Sequence, residues 1–243
     1  MLLNCDMGEA FGAWVMGQDE HIMPFVDQAN IACGFHASDP LTMAKTVSLA
    51  KQHSVSVGAH PGFPDLVGFG RRKMDIAAAE LKALIQYQVG ALQGICQSQG
   101  MNLSYVKLHG ALYNQMASNE MTLDIVMQAV SEISDTLPLM VMAVPEREAI
   151  SRHAERYGLT ILYEAFADRL YTADGRLTPR SQTDAVHSSV ELIEQQVLGL
   201  LQRSEVTTET DQVLAVNADS ICIHGDNPHA LQAVKRVRRL LQG

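Results

Sequence analysis

Cysteine, tryptophan and long apolar runs are all scarce in this 243-residue chain, and each scarcity removes a class of protein. The four cysteines, Cys5, Cys33, Cys96 and Cys222, are scattered and form no Cys-x-x-Cys pair, so neither a disulfide framework nor a structural zinc site is expected. With no signal-peptide pattern at the start, they predict a reduced, cytoplasmic setting. No apolar stretch is long enough to span a bilayer, so no membrane association is expected. Basic residues are outnumbered, 18 Lys and Arg against 27 Asp and Glu, and a net charge of -9 argues against a nucleic-acid partner. The one basic run, Lys235, Arg236, Arg238 and Arg239, alternates with Leu231, Val234, Val237, Leu240 and Leu241 as the polar face of an amphipathic helix. A G-x-x-x-x-G-K-[ST] loop is also absent, which excludes nucleotide binding in the P-loop manner.

What the chain does have is a repeated alternation of short apolar runs and amphipathic stretches. Strands are predicted at 2–6, 28–33, 55–59, 103–107, 139–144, 159–164 and 220–223. Helices are predicted at 41–52, 75–99, 121–133, 145–157 and 184–202. Asp39-Pro40 and Asn227-Pro228 read as helix caps followed by a first helical proline. The polar stretch 204–211 reads as a surface loop, and 171–182 carries an Asp174-Gly175 turn with Arg176 and Arg180 as further cations. No linker divides the chain, so one α/β domain over 1–243 with a parallel sheet is expected.

Polar residues recur where the strands end. The stretch Val57 to Arg72 runs from a strand into a loop with two prolines and four glycines, carrying His60, Asp65, Arg71 and Arg72. Other strand ends supply Asp6, Glu9, His36, Lys107, His109, Glu164, Asp168, Arg169, His224 and Asp226. Groups spread over so many strands converge in a closed barrel of about seven strands, whereas an open sheet would string them along a crevice. Two chemistries suit them. Asp6, His36 and His60 are the residue types of a divalent-metal hydrolase. Equally, the carboxylates and histidines can act as metal-free acid and base around an anionic substrate held by Lys107 and Arg169. Cys33, beside Gly34 and His36, is a candidate thiol nucleophile.

Leu3 to Glu9, Ala29 to Ala37, Gly58 to Pro61, Val106 to Asn114, Phe166 to Arg169 and His224 to Asp226 together resemble the LamB/YcsF family from end to end. The resemblance implies a distorted (β/α) barrel of the glycoside hydrolase/deacetylase type. It also implies ATP-dependent opening of the 5-oxoproline lactam to L-glutamate with two partner subunits, B and C. ATP would be a co-substrate of the complex, making a stable amide electrophilic by phosphorylation of its oxygen. On this basis Asp6, Glu9, His60, Lys107, His109 and Glu164 are the expected catalytic groups. His36, Asp65, Arg71, Asp168, Arg169, His224 and Asp226 are the expected substrate-binding groups. Asp6, His36 and His60 match the metal ligands of the deacetylase relatives, and a stand-alone metal-dependent deacetylase or amidohydrolase is the alternative. Leu108 stands where the family pattern leads one to expect proline.

Overall fold

A computed structural model describes residues 1–187, 189–225 and 229–243. β1 (Leu2–Met7) leads through α1 (Asp19–Ile22) and a 3-10 turn (Met23–Phe25) to β2 (Gln28–Ala32) and α2 (Pro40–Gln52). Then follow β3 (Ser56–His60), α3 (Ala78–Ser98), β4 (Leu103–Lys107), α4 (Gly110–Ser118), α5 (Glu120–Ile133), β5 (Leu139–Met142) and α6 (Arg147–Glu155). The chain ends with β6 (Ile161–Phe166), α7 (Val190–Arg203), β7 (Glu205–Thr207), β8 (Val213–Ala215), β9 (Ser220–Cys222) and α8 (Ala230–Gln242). Strands β1 to β6 and β9 close into a barrel in the order β1-β2-β3-β4-β5-β6-β9, with every pairing parallel. The seven expected strands are all present, shifted at their ends by no more than two residues.

The differences have local causes. Residues 204–211 are not simply a loop: Glu205–Thr207 pairs antiparallel with Val213–Ala215 and buries Val206. The seventh helix starts at Val190, where the Ser189 hydroxyl accepts from the Leu192 amide, and not at 184. Residues after His109 form α4, an unexpected helix that buries Leu112, Tyr113 and Met116. The Asp39 cap is as expected, accepting from the Leu41 and Thr42 amides; the Asn227-Pro228 cap lies outside the described residues. The basic run on α8 forms surface ion pairs, Arg236 with Glu194 at 2.8 Å and Arg238 with Asp27 at 2.9 Å.

Each barrel strand has two buried faces of opposite character. Leu3, Cys5, Ala29, Ile31, Val57, Val106, Tyr163, Ala165 and Ile221 belong to the apolar shell between sheet and helices. The alternate residues point inward, and on β1, β2, β4 and β9 many of them are polar. Asn4 donates to Ser220 at 2.8 Å, Ser220 donates to Gln28 at 2.8 Å, and Asn30 donates to Asn4 at 2.8 Å. Tyr105 adds its hydroxyl to Asn30. TIM-type barrels fill this space mainly with branched aliphatics; here a hydrogen-bonded ladder takes their place, and its upper rungs become the site.

Gly58 makes room for this arrangement. A Cβ there would lie 2.2 Å from the Tyr105 ring. Gly58→Ala should therefore destabilise the protein by roughly 1–3 kcal/mol through overpacking. Denaturant unfolding checks this, and partial recovery is expected on adding Tyr105→Leu. Wild-type stability in the single variant would contradict the packing account.

Candidate active site

The C-terminal strand ends open into a cavity of about 560 Å³ lined by Asp6, Glu9, His60, Lys107, His109 and His224, with Arg71, Arg169, Arg176 and Arg180 on other parts of its wall. At its base, Lys107 Nζ is buried 3.0 Å from both Asp6 Oδ1 and Glu164 Oε2, and 3.2 Å from Cys222 Sγ. Burial alone would lower the ammonium's pKa, but Asp6, the Cys222 sulfur and Glu164 hold it well above the usual lysine range. Burial would likewise raise the Asp6 carboxyl, but His60, Lys107 and His224 hold it well below the usual carboxylate range. Asn30 donates to Asp6 Oδ1 at 2.7 Å, leaving Oδ2 facing the histidines.

Hydrogen bonds to backbone carbonyls fix the histidine tautomers. His60 Nδ1 is 2.8 Å from the Lys107 carbonyl and His109 Nε2 is 2.8 Å from the Phe69 carbonyl, so each of these nitrogens carries a proton. Their other nitrogens, His60 Nε2 and His109 Nδ1, face each other at 3.0 Å. Two lone pairs repel at that distance. One further proton must lie between them, giving the pair a single positive charge 3.3 Å from Asp6 Oδ2.

His224 sits on the opposite wall. Its Nδ1 lies 3.0 Å from both Asp168 oxygens and its amide donates to Asp168 Oδ2 at 3.2 Å, so the carboxylate fixes ring and tautomer together. Burial would raise the Asp168 carboxyl, but the charge and hydrogen bonds of His224 hold it low. His224 Nε2 faces the cavity, 3.9 Å from Asp6 Oδ2.

Several expected site residues take supporting positions. Asp65 does not reach the cavity: it accepts from the Gly68 amide at 2.9 Å and pairs with Arg72, shaping the loop after β3. His36 lies behind the lining, stacked on His109 with ring centroids 3.7 Å apart. Glu164 sits below the lining, paired with Lys107, and Asp168 orients His224 instead of lining the cavity. Arg169 lines the wall but gives Nε to the Ala185 carbonyl and Nη2 to the Thr178 carbonyl. Cys33 is buried, with burial pushing its thiol up to about 12, which is not the state of a nucleophile. Leu108 is buried in the hydrophobic core and borders the cavity. Asp226 lies outside the described residues.

The expected ligand trio Asp6, His36 and His60 does not come together. Among the described residues, ligand atoms mutually within 4.8 Å occur in two groups, Glu9 with His36, His60 and His109, and Asp6 with Cys222 and His224. In the first, the His36 and His109 rings are parallel to within 3°, so their in-plane lone pairs run side by side and do not converge on one ion. Beside Asp6, the Lys107 ammonium already occupies the cation's place. The expected trio Asp6, His36 and His60 is therefore not a single donor set in this structure.

The LamB/YcsF family model matches residues 1–243. The chain belongs to the LamB/YcsF family. A Pseudomonas fluorescens relative within it, named as the A subunit of 5-oxoprolinase, is 50% identical over 241 residues, covering 99% of this chain and 96% of its own. A Vibrio cholerae protein of the same name is 51% identical over 239 residues, covering 98% and 96%. The crystal structure of a lactam utilization protein from Thermus thermophilus superposes with a TM-score of 0.91 at 39% identity, covering 100% of this chain and 96% of that one. Among the described residues of this family member, no helix is long and apolar enough to cross a membrane.

Sequence reading missed the ladder of Asn4, Gln28, Asn30, Tyr105 and Ser220 that supports the site. The available signal was the spacing of two between Asn4 and Asp6, Gln28 and Asn30, and Tyr105 and Lys107.

Buried His36 makes a pH-dependent contribution to stability. Burial, reinforced by neighbouring His charges, holds His36 well below the usual 6.5. Below about pH 6.5 the unfolded chain binds a proton here that the folded chain refuses, so this residue destabilises the fold as pH falls. Asp19, which burial pushes up to about 6, acts in the opposite sense. The melting temperature of His36→Asn should therefore fall less than that of the wild type between pH 7 and pH 5. Equal slopes would contradict the burial argument.

Proposed function

We propose that this chain is the A subunit of an ATP-dependent 5-oxoprolinase, opening the five-membered lactam of 5-oxoproline to L-glutamate together with partner subunits B and C. One observation carries the reading: a histidine base oriented by a carboxylate faces a cationic histidine pair across a cavity edged with arginines, in a fold shared with proteins named for lactam chemistry. In this reading ATP enters through the partner subunits; the chain itself carries no P-loop motif.

In this reading His224 Nε2 takes a proton from the attacking water, and Asp168 stabilises the imidazolium that forms. The positive His60–His109 pair stabilises the negative charge that develops on oxygen at the lactam carbon, with Asp6 and Lys107 fixing the pair's position. His224 then gives its proton to the departing ring nitrogen, leaving the amine. A second water releases the phosphoryl group that ATP places on the lactam oxygen, so 5-oxoproline, ATP and two waters give L-glutamate, ADP and phosphate.

The test is glutamate release from 5-oxoproline, with and without ATP, by the chain alone and with purified B and C subunits. Activity is expected only with ATP and all three chains. His224→Asn should lower kcat by about 10²–10⁴-fold. Asp168→Asn should act in the same direction by releasing the tautomer, and Asp6→Ala by removing the carboxylate that holds the pair. Unimpaired turnover by His224→Asn would remove it from the mechanism. ATP-independent hydrolysis by the chain alone would overturn the reading.

A further inference from the structure

Exposed apolar side chains are normally scattered singly over a protein surface, but here they gather on one arc of the barrel mouth. Of the thirteen large ones exposed among the described residues, seven lie in the loops after β1 and β3 or in the first turn of α2. Phe11, Trp14, Val15 and Met16 come from the first loop, with Trp14 72% and Val15 88% exposed. Leu41 opens α2 and is 63% exposed. Leu66 and Val67 follow β3, with Val67 91% exposed. Trp14 is the only tryptophan of the chain.

These segments are joined into one ordered surface. Phe11 and Trp14 exchange backbone hydrogen bonds at 3.0 and 2.9 Å, closing a tight turn in which Gly12 has a φ of +56°. The turn is tied to the head of α2: the Gly12 amide donates to Asp39 Oδ2 at 3.0 Å, and the Ser38 amide donates to the Ala10 carbonyl at 3.1 Å. The loops after β2 and β3 meet at His36, because a Cβ on Gly62 or Gly70 would lie 2.7 Å from its side chain. Phe35 stacks on Tyr87 of α3, itself exposed, with ring centroids 5.4 Å apart. The surface borders the cavity, since the first and third loops also carry Glu9 and Arg71 of its lining.

At these exposures the seven side chains present on the order of 700 Å² of mostly apolar area, close to one partner's share of a standard protein–protein interface. Docking on a turn that is already braced costs little ordering entropy. Residues 10–18 carry no charge, and the Asp65 carboxylate beside Leu66 is turned onto Arg72. A lipid surface is disfavoured: residues 10–18 offer headgroups no cation, and a net charge of -9 is repelled by anionic lipid.

We propose that this arc is the surface on which the ATP-handling partner docks, through a face that is itself apolar and poor in charge. The inference rests on the lactam reading above and deepens it. A reaction that uses ATP on one chain and opens the lactam on another needs the two sites to face each other, and the arc lies beside the mouth of the cavity. A second copy of this chain docked here would set two like mouths together, neither of them carrying a P-loop.

The test labels the chain with 5-fluorotryptophan, so that Trp14 alone gives a fluorine NMR signal, and adds unlabelled B and C subunits, separately and together. We expect the resonance to shift with the partners, and to stay in place with phosphatidylglycerol/phosphatidylethanolamine vesicles or at high concentration of the chain alone. In isothermal titration, Trp14→Ser/Val67→Ser should weaken partner binding by about tenfold or more. Leu192→Ser/Val213→Ser, which replaces exposed apolar residues of α7 and β8, should bind as the wild type does. Glutamate release by the arc variant should recover toward the wild-type kcat as partner concentration rises, which loss of a reacting group would not allow. Wild-type affinity in the arc variant, equal loss in the control, no partner binding, or a resonance moved by vesicles or by self-association would overturn the proposal. Partner binding through the arc in a complex that releases no glutamate would sink the lactam reading and leave the docking surface standing; an active complex with an unmoved resonance would do the reverse.

Discussion

A single ammonium group, Lys107 Nζ, stands at the centre of the barrel and bridges Asp6 on β1 to Glu164 on β6. Removing one partner of such a buried set leaves an uncompensated charge, a loss of about 3–5 kcal/mol in comparable cases. The bridge also explains the polar interior. Carboxylates and an ammonium cannot lie against aliphatic layers without hydrogen bonds, and Asn4 and Asn30 supply them from strands β1 and β2. The ladder below passes the same demand to Ser220 and Gln28.

Above the bridge, the same strands fix the reacting groups. The backbone carbonyl of Lys107 orients His60, whose ring meets His109, whose other nitrogen is held by the carbonyl of Phe69. That loop can come so close because Gly70 has a φ of +63°, and a Cβ there would lie 2.7 Å from the His36 side chain. His224 gains its orientation independently, from Asp168 across the barrel. Two imidazole systems, the His60–His109 pair and His224, thus share the Asp6 carboxylate between them.

Much of this was legible in the sequence, because the alternation of strands and helices and the polar residue after each strand are local signals. Lys107 was conspicuous as a cation ending an apolar run. The ladder was not: with both strand faces buried, an inward Asn30 and an outward Ile31 differ only in register, which a single strand does not reveal. Asp65 reads as a site residue because it shares a loop with His60, yet it pairs with Arg72 and shapes that loop. Arg176 and Arg180 reach the cavity wall in a segment tied down at Thr178 by Arg169 and by Glu209, contacts that no motif encodes.

The charge arrangement at the base of the cavity is most directly tested by neutron diffraction from a crystal of the protein at neutral pH. Three deuterons are expected on Lys107 Nζ, one on His60 Nδ1, one on His109 Nε2, and a single deuteron between His60 Nε2 and His109 Nδ1. His224 Nε2 should be bare. A deuteron on His224 Nε2, or none between His60 and His109, would contradict this account of how the site holds its protons.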